Sequence, residues 1–168
     1  FGTKMRSVIN KASAEGIAAV VEQQFEIGKQ ILGHGLVPII EPEVNIHAAD
    51  KAECEDILKA EILKQLDALS TDQKVMLKLT LPEKANFYRD LINHDNVLLV
   101  VALSGGYDLD EACTRLSNNT GMVASFSRAL TNDLFASQSD DEFNAALKKT
   151  IERIYMASVE DKAHTQAA

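Results

Sequence analysis

The fold of this 168-residue chain is decided by residues 97–106, which read Val97-Leu98-Leu99-Val100-Val101-Ala102-Leu103-Ser104-Gly105-Gly106. The unbroken apolar run predicts a strand that is buried on both faces, and such strands are typical of parallel sheets. The two glycines that follow indicate a turn whose main-chain N–H groups are accessible. An acidic residue then opens a predicted helix from Asp108 to Leu116. This stretch is therefore one strand–turn–helix unit.

The same alternation continues in both directions from this unit. Strands are predicted at residues 3–9, 36–41, 75–80 and 122–126, and helices at 13–33, 50–69, 82–91, 128–135 and 140–156. Strands that alternate with helices form βαβ units and a parallel sheet. The chain contains no linker-like or repetitive segment, so we expect a single α/β domain over residues 1–168.

Two parallel architectures compete for this pattern. A doubly wound nucleotide-binding sheet needs a glycine-rich turn between its first strand and first helix, and residues 9–13 contain no glycine. A (β/α)8 TIM barrel instead places its polar chemistry at the carboxyl ends of several strands. The charged residues of this chain follow that second pattern, which predicts a TIM barrel.

Charge and composition narrow the classes of partner. The formal net charge of −8 argues against binding to nucleic acid or to an anionic membrane surface, because both need a basic face. No apolar run approaches the roughly 18 residues of a membrane span. The two cysteines, Cys54 and Cys113, have no partner at metal-ligand spacing, so we expect reduced thiols and a cytoplasmic protein.

Three of the predicted strands carry charged residues, namely Lys4 and Arg6 in the first, Glu41 and Glu43 in the second, and Lys78 in the third. Residues two apart in a strand share a face, so each pair points the same way. Charged side chains are rare in buried parallel strands because desolvating them is costly. Together these five residues predict a functional cluster.

Lys78 and Glu41 suggest the chemistry. Lys78 lies between Leu77 and Leu79, and burial together with a nearby cation favours the neutral amine of a lysine over its ammonium form. A neutral amine can attack a carbonyl carbon, and a neighbouring carboxylate can move the protons of that reaction. These residues therefore predict a Schiff-base enzyme with Lys78 as nucleophile and Glu41 as acid and base.

Two later segments predict an anion site. Ser104, Gly105 and Gly106 offer main-chain N–H groups at a strand end. One βα unit later, Arg128 lies at the start of a predicted helix, where its guanidinium and the helix dipole both favour an anion. Phosphate is often bound at such positions in barrels. The four histidines form no cluster, so no metal site is predicted.

Five motifs in chain order resemble those of class I fructose-1,6-bisphosphate aldolases, in particular the short bacterial type. They are Thr3-Lys4-Met5-Arg6, Gly35 through Glu43, Leu77-Lys78 followed by Pro82, Leu103-Ser104-Gly105-Gly106, and Ser125 through Leu130. Only five strand–helix units are present, and they resemble strands four to eight of that family. A barrel of this class takes about 250 residues, so the chain is interpreted as the C-terminal part of one that needs upstream strands.

The resemblance implies a lyase of glycolysis and gluconeogenesis. It would cleave fructose 1,6-bisphosphate reversibly to dihydroxyacetone phosphate and glyceraldehyde 3-phosphate, with a phosphorylated sugar as its partner and no metal or other cofactor. By position, Lys78 would form the imine, Glu41 would transfer protons and Glu43 would support the charge network. Lys4 and Arg6 would hold the reacting region and one phosphate, and Ser104, Gly105 and Arg128 would hold the other.

Two other interpretations stay open. One is a different Schiff-base aldolase, of the transaldolase or deoxyribose-phosphate type, although two phosphate grips favour a bisphosphate. The other is a non-catalytic fragment that keeps the fold without the activity. Whether the protein forms a homo-oligomer is also open.

Overall fold

The computed structural model describes residues 1–159, in which five strands alternate with helices. The strands are β1 (Gly2–Ile9), β2 (Val37–Val44), β3 (Val75–Thr80), β4 (Val97–Leu103) and β5 (Met122–Ala124). The helices are α1 (Ala14–Gly33), α2 (Lys51–Asp67), α3 (Arg89–Ile92), α4 (Leu109–Ser117), α5 (Arg128–Thr131) and α6 (Asp140–Val159). No helix in this part of the chain is long and apolar enough to cross a membrane.

The strands form one parallel sheet in the order β1-β2-β3-β4-β5. β1 pairs with β2 over its whole length, from Gly2 opposite Val37 to Ile9 opposite Val44. Each strand lies beside its neighbour in the sequence and the order never reverses, as in a barrel and unlike a doubly wound sheet. The predicted α/β class and parallel sheet are confirmed.

The two faces of the sheet differ sharply. One face packs under the helices and carries the apolar core, in which Ile40, Leu77, Leu79 and Ala102 have no exposed surface. The other face carries the charged residues of β1, β2 and β3. Because side chains alternate in a strand, an apolar layer and a polar layer are built from the same short segments.

Local sequence explains where the long helices begin. Ser13 is the N-cap of α1, and its hydroxyl accepts a hydrogen bond from the main-chain N–H of Gly16. Asp108 caps α4 in the same way by accepting from the N–H of Glu111 at 2.8 Å. Such caps satisfy donors that the first helical turn cannot satisfy itself. These two starts were predicted correctly.

The predicted boundaries of four elements are wrong. β2 continues past Glu41 to Val44, so Glu43 lies inside the strand. The helix predicted from Pro82 to Leu91 is reduced to α3, since the chain passes through turns before Arg89. Asn86 takes a φ of 57° there, a left-handed conformation that interrupts a right-handed helix. β5 and α5 are also shorter than predicted.

Candidate active site

A pocket of about 230 Å³ opens at the carboxyl ends of the strands. It is lined by seven of the eight predicted site residues, which are Arg6, Glu41, Glu43, Lys78, Ser104, Gly105 and Arg128. The eighth, Lys4, reaches the site through an ion pair with Glu41. Residues from all five strand–helix units therefore meet in one cleft, as the alternation of the strands predicts.

Glu41 is a buried carboxylate that lies between two lysines. The Lys4 ammonium donates a hydrogen bond to its Oε2 atom, and Lys78 Nζ lies 3.4 Å from its Oε1 atom. The Glu41 side chain is only 4% exposed, and a buried carboxylate of this kind needs paired positive charge to stay ionised. Each oxygen of Glu41 thus faces a different ammonium group.

Glu43 forms a second pair on the same face. Its Oε2 atom accepts a hydrogen bond from Arg6 Nε at 2.7 Å. That hydrogen bond and the charge of Glu43 raise the pKa of Arg6 above its ordinary value. The Arg6 guanidinium therefore keeps its charge at any working pH, and half of its side chain remains exposed to the cleft.

Lys78 points into the cleft, and its surroundings differ from those expected. Leu77 and Leu79 are fully buried under the helices, on the opposite face of β3. They therefore do not surround the Lys78 amine, and the apolar reason given for its neutral form is wrong. The Lys78 side chain is 17% exposed, and the charged group next to its amine is Glu41.

The turn after β4 forms the far wall of the cleft. Gly105 and Gly106 both have positive φ, at 64° and 113°. A Cβ on Gly105 would lie 2.7 Å from Cγ2 of Ile46, and one on Gly106 would lie 4.0 Å from a terminal nitrogen of Arg128. The glycines therefore allow a close approach of the chain, and the Arg128 guanidinium is adjacent to them.

Two serines of the pocket lining were not among the predicted site residues, although their segment resembles a phosphate-binding loop. Ser125 and Ser127 follow β5 and line the cleft beside Ser104 and Arg128. They lie two apart in the stretch that contains Arg128, and that alternation was the available signal. Leu103 completes the lining on the apolar side.

No group of three His, Cys, Asp or Glu side chains is placed to hold a metal ion within residues 1–159. His164 lies outside the described residues.

Known proteins with similar sequences point to one family, although no protein-family model matches the chain. A curated class 1 fructose-bisphosphate aldolase of Synechocystis is 59% identical over 159 residues, which are 95% of this chain. The chain is therefore similar in sequence to a class 1 fructose-bisphosphate aldolase over nearly its whole length. It covers 53% of that aldolase, so it spans about half the length of the relative.

A solved aldolase structure agrees in fold. The fructose-bisphosphate aldolase of Plasmodium falciparum, in a complex with TRAP and a small-molecule inhibitor, superposes with a TM-score of 0.66 at 16% identity. The match covers 93% of this chain and 56% of that one. At this identity it shows the fold alone, which is a partial (β/α)8 barrel. The predicted aldolase resemblance and the predicted barrel are both confirmed.

Proposed function

We propose that the protein containing this chain is a Schiff-base fructose-bisphosphate aldolase that works without a metal ion. The observation that carries the proposal is the pair of Lys78 Nζ and Glu41 Oε1, 3.4 Å apart in a cleft that also holds Arg6 and Arg128. The 59% identity to a class 1 aldolase supports the same reaction. The same pair is the minimum that imine chemistry needs, an amine and a proton-transfer group in contact.

The reaction follows from these two groups. A proton passes from the Lys78 ammonium to the Glu41 carboxylate, and the neutral amine that remains attacks the ketose carbonyl carbon. Glu41 gives this proton to the carbonyl oxygen and takes a proton from the attacking nitrogen, which yields a carbinolamine. When Glu41 gives that second proton to the carbinolamine oxygen, water leaves and the protonated imine remains. When a base removes the proton of the hydroxyl β to the imine carbon, the adjacent carbon–carbon bond breaks and its electrons move into the imine. The resulting enamine is protonated on carbon and hydrolysed.

Lys4 acts on Glu41 in this scheme. Its ammonium occupies Oε2, which leaves Oε1 to exchange protons with the atoms bound at Lys78. A carboxylate shared by two cations also holds each ammonium in place. Glu43 has the corresponding role toward Arg6, since their hydrogen bond orients the guanidinium.

Two candidate phosphate-binding sites support a bisphosphate substrate. Arg6 is on β1 and Arg128 follows β5, at opposite ends of the five-stranded sheet, with Lys78 on the central strand. The Ser104 and Gly105 turn lies on the Arg128 side. A sugar that reacts at Lys78 would therefore place one phosphate at Arg6 and the other at Arg128.

The local charge of the cleft also favours an anionic sugar. Lys4, Arg6, Lys78 and Arg128 supply four positive charges against the two carboxylates of Glu41 and Glu43. The site is therefore positive by about two charges in a protein of net charge −8, and such a local field attracts phosphates. The predicted cytoplasmic location agrees with a phosphorylated sugar as the partner.

Imine trapping in the complete protein tests the proposal. Borohydride added with dihydroxyacetone phosphate should fix a covalent adduct on Lys78, because a C=N bond is reducible while a metal-bound enolate is not. Lys78→Ala should lose both adduct and turnover. The control is Lys74→Ala, since Lys74 is only partly exposed and binds the main-chain oxygen of Asp95 outside the cleft.

Activity should also survive EDTA. An adduct on Lys4, or an active and EDTA-resistant enzyme that forms no adduct, would contradict the assignment of Lys78. Activity that disappears with EDTA and returns with a divalent ion would contradict the metal-independent mechanism.

A further inference from the structure

A second group of charged side chains lies behind the end of β3, outside the pocket. Lys51 and Glu55 belong to the first turns of α2 and are 5% and 1% exposed. Glu83 lies in the loop after β3, and Arg115 reaches it from α4 with its NH1 atom 3.2 Å from the carboxylate. We call Lys51, Glu55, Glu83 and Arg115 the α2–α4 network.

Lys51 is the centre of this network because its ammonium group has three oxygen neighbours. It donates hydrogen bonds to Glu55 Oε1 and, at 2.9 Å, to the carbonyl oxygen of Leu81, and it forms an ion pair with Glu83 Oε1 at 3.0 Å. Its positive charge is therefore matched by two carboxylates. A lysine buried to this extent is rare unless it is paired in this way.

The network binds the main chain of residues 81–83. The Leu81 carbonyl accepts from Lys51, the Pro82 carbonyl accepts from Arg115 at 3.3 Å, and the Glu83 N–H donates to Glu55 Oε2 at 3.1 Å. A loop at this depth has no ladder or helix to satisfy its peptide groups, and leaving them unpaired would be costly. Side chains of α2 and α4 supply the partners instead.

A network of charges is not needed here for stability alone. Apolar residues of similar volume often stabilise a buried site as well as an ion pair does. Burial raises the pKa of Glu55. Burial would also raise that of Glu83, but Lys51 and Arg115 bring the Glu83 pKa below its ordinary value. The charges can do one thing that an apolar cluster cannot, which is to bind three consecutive main-chain groups in a defined position.

The bound segment begins three residues after Lys78. The ladder between β2 and β3 pairs Ile39 with Met76 and Ile40 with Leu77, and no pair is found beyond these two in the described residues. Glu41 and Lys78 therefore lie where the ladder between β2 and β3 has ended, while β3 stays paired on its other edge with β4 as far as Thr80 opposite Leu103. Beyond it, the Thr80 hydroxyl donates to the Val44 carbonyl at 2.8 Å, and the α2–α4 network then holds Leu81.

We propose that Lys51 is a positioning residue that holds the end of β3 so that the Lys78 amine stays beside Glu41. The proposal rests on the proposed aldolase function, because its effect is measured on imine formation. Lys51 is absent from the pocket lining, so its influence passes through Leu81 and Thr80. A displacement of about 1 Å at a reacting group can reduce a rate by up to about 100-fold.

The test compares three variants of the complete protein. Lys51→Met removes the charge and keeps the length of the side chain. The double variant Lys51→Met with Glu55→Gln also removes the carboxylate that would otherwise lose its counter-charge. Lys59→Met is the matched control, because Lys59 is in the same helix and binds a loop carbonyl and a carboxylate, those of Phe87 and Asp90, further from β3.

Three quantities are measured. They are the rate at which the borohydride-trapped adduct forms at saturating dihydroxyacetone phosphate, the concentration of that compound that gives half of this rate, and the free energy of unfolding. Lys51→Met and the double variant should both form adduct about tenfold or more slowly. Their half-saturating concentrations should change by less than about threefold, because the phosphate grips are intact. The free energy of unfolding should be higher in the double variant than in Lys51→Met, because no buried carboxylate is left unpaired, while the rate of adduct formation should stay low. Lys59→Met should stay within about twofold of the wild type.

The outcomes separate the two proposals. Wild-type protein that forms no adduct overturns the aldolase function and this inference with it. If the wild type forms adduct and the double variant does so at the same rate, Lys51 has no positioning role and the aldolase function stands. If Lys51→Met does not fold, the double variant alone decides.

Discussion

Arg128 is an exposed residue whose importance depends on its neighbours. It lies beside the two glycines after β4 and two serines of the same pocket. We expect Arg128→Ala to lower kcat/KM for fructose 1,6-bisphosphate. The lost transition-state stabilisation should be about 1.5–3 kcal/mol, which is the range for a hydrogen bond to a charged group. An unphosphorylated ketose should lose much less, because the lost contact is to phosphate.

The matched control for this prediction is Arg89→Ala, since Arg89 is exposed in α3 and does not line the pocket. Steady-state kinetics with both substrates provide the measurement. Equal losses on the two substrates would mean that Arg128 supports the fold of the cleft and does not bind phosphate.

Single residues also show how far the sequence could predict this site. Alternation placed Lys4 with Arg6, and Glu41 with Glu43, on one face of their own strands, and the cost of burying charge predicted that both pairs form one cluster with Lys78. Neighbours in sequence gave the wrong surroundings for Lys78, since adjacent residues of a strand point to opposite faces.

Lys51 illustrates what a sequence pattern hides. In a helix rich in Lys and Glu, the sequence predicts that Lys51 is one more solvated charge. Only the packing of α2 against the loop after β3 buries it.

Cys54 shows a property that the sequence did predict. It was predicted as a reduced thiol, and it is fully buried, where burial first and then the charge of Asp50 raise its pKa to about 11.

At the scale of elements, the turn after β4 depends on Gly105. An alanine there would have to hold a φ of 64° with its Cβ 2.7 Å from Ile46. Left-handed backbone costs an L-residue roughly 1–2 kcal/mol, so Gly105→Ala should lower the free energy of unfolding by at least about that amount. It should also weaken phosphate binding by moving the turn.

Gly33→Ala is the control, because Gly33 ends α1 with no atom within 4 Å of a Cβ built on it. It should be neutral or stabilise the protein by up to about 1 kcal/mol. Denaturant unfolding of the two variants measures both effects. A Gly105→Ala protein as stable as Gly33→Ala would contradict the strain expected at this turn.

Elements were predicted best where local chemistry determines them. The starts of α1 and α4 follow from Ser13 and Asp108, whose side chains bind the first turn. The helix expected after Pro82 failed because its first peptide groups bind α2 and α4 instead. A local sequence pattern cannot show that side chains from other helices bind these main-chain groups.

At the scale of the whole molecule, the sheet has two unpaired edges within the described residues, one at β1 and one at β5. The face of the sheet that carries the charges is also open near β1, where the Lys4 and Arg6 side chains are 41% and 51% exposed and Val8 is 41% exposed. Open parallel edges are templates for pairing with other chains. A closed barrel has no such edges.

Residues 1–168 expressed alone should therefore self-associate. Sedimentation should show species larger than a monomer, and thermal unfolding should be broad, because each copy offers two unpaired strand edges. Val8→Lys should reduce the association, since a charge on an exposed edge strand opposes pairing while the ladder to β2 stays intact. A monomer that unfolds in one sharp transition would show that five strand–helix units suffice for a stable domain, and that closure of the barrel is needed only for the site.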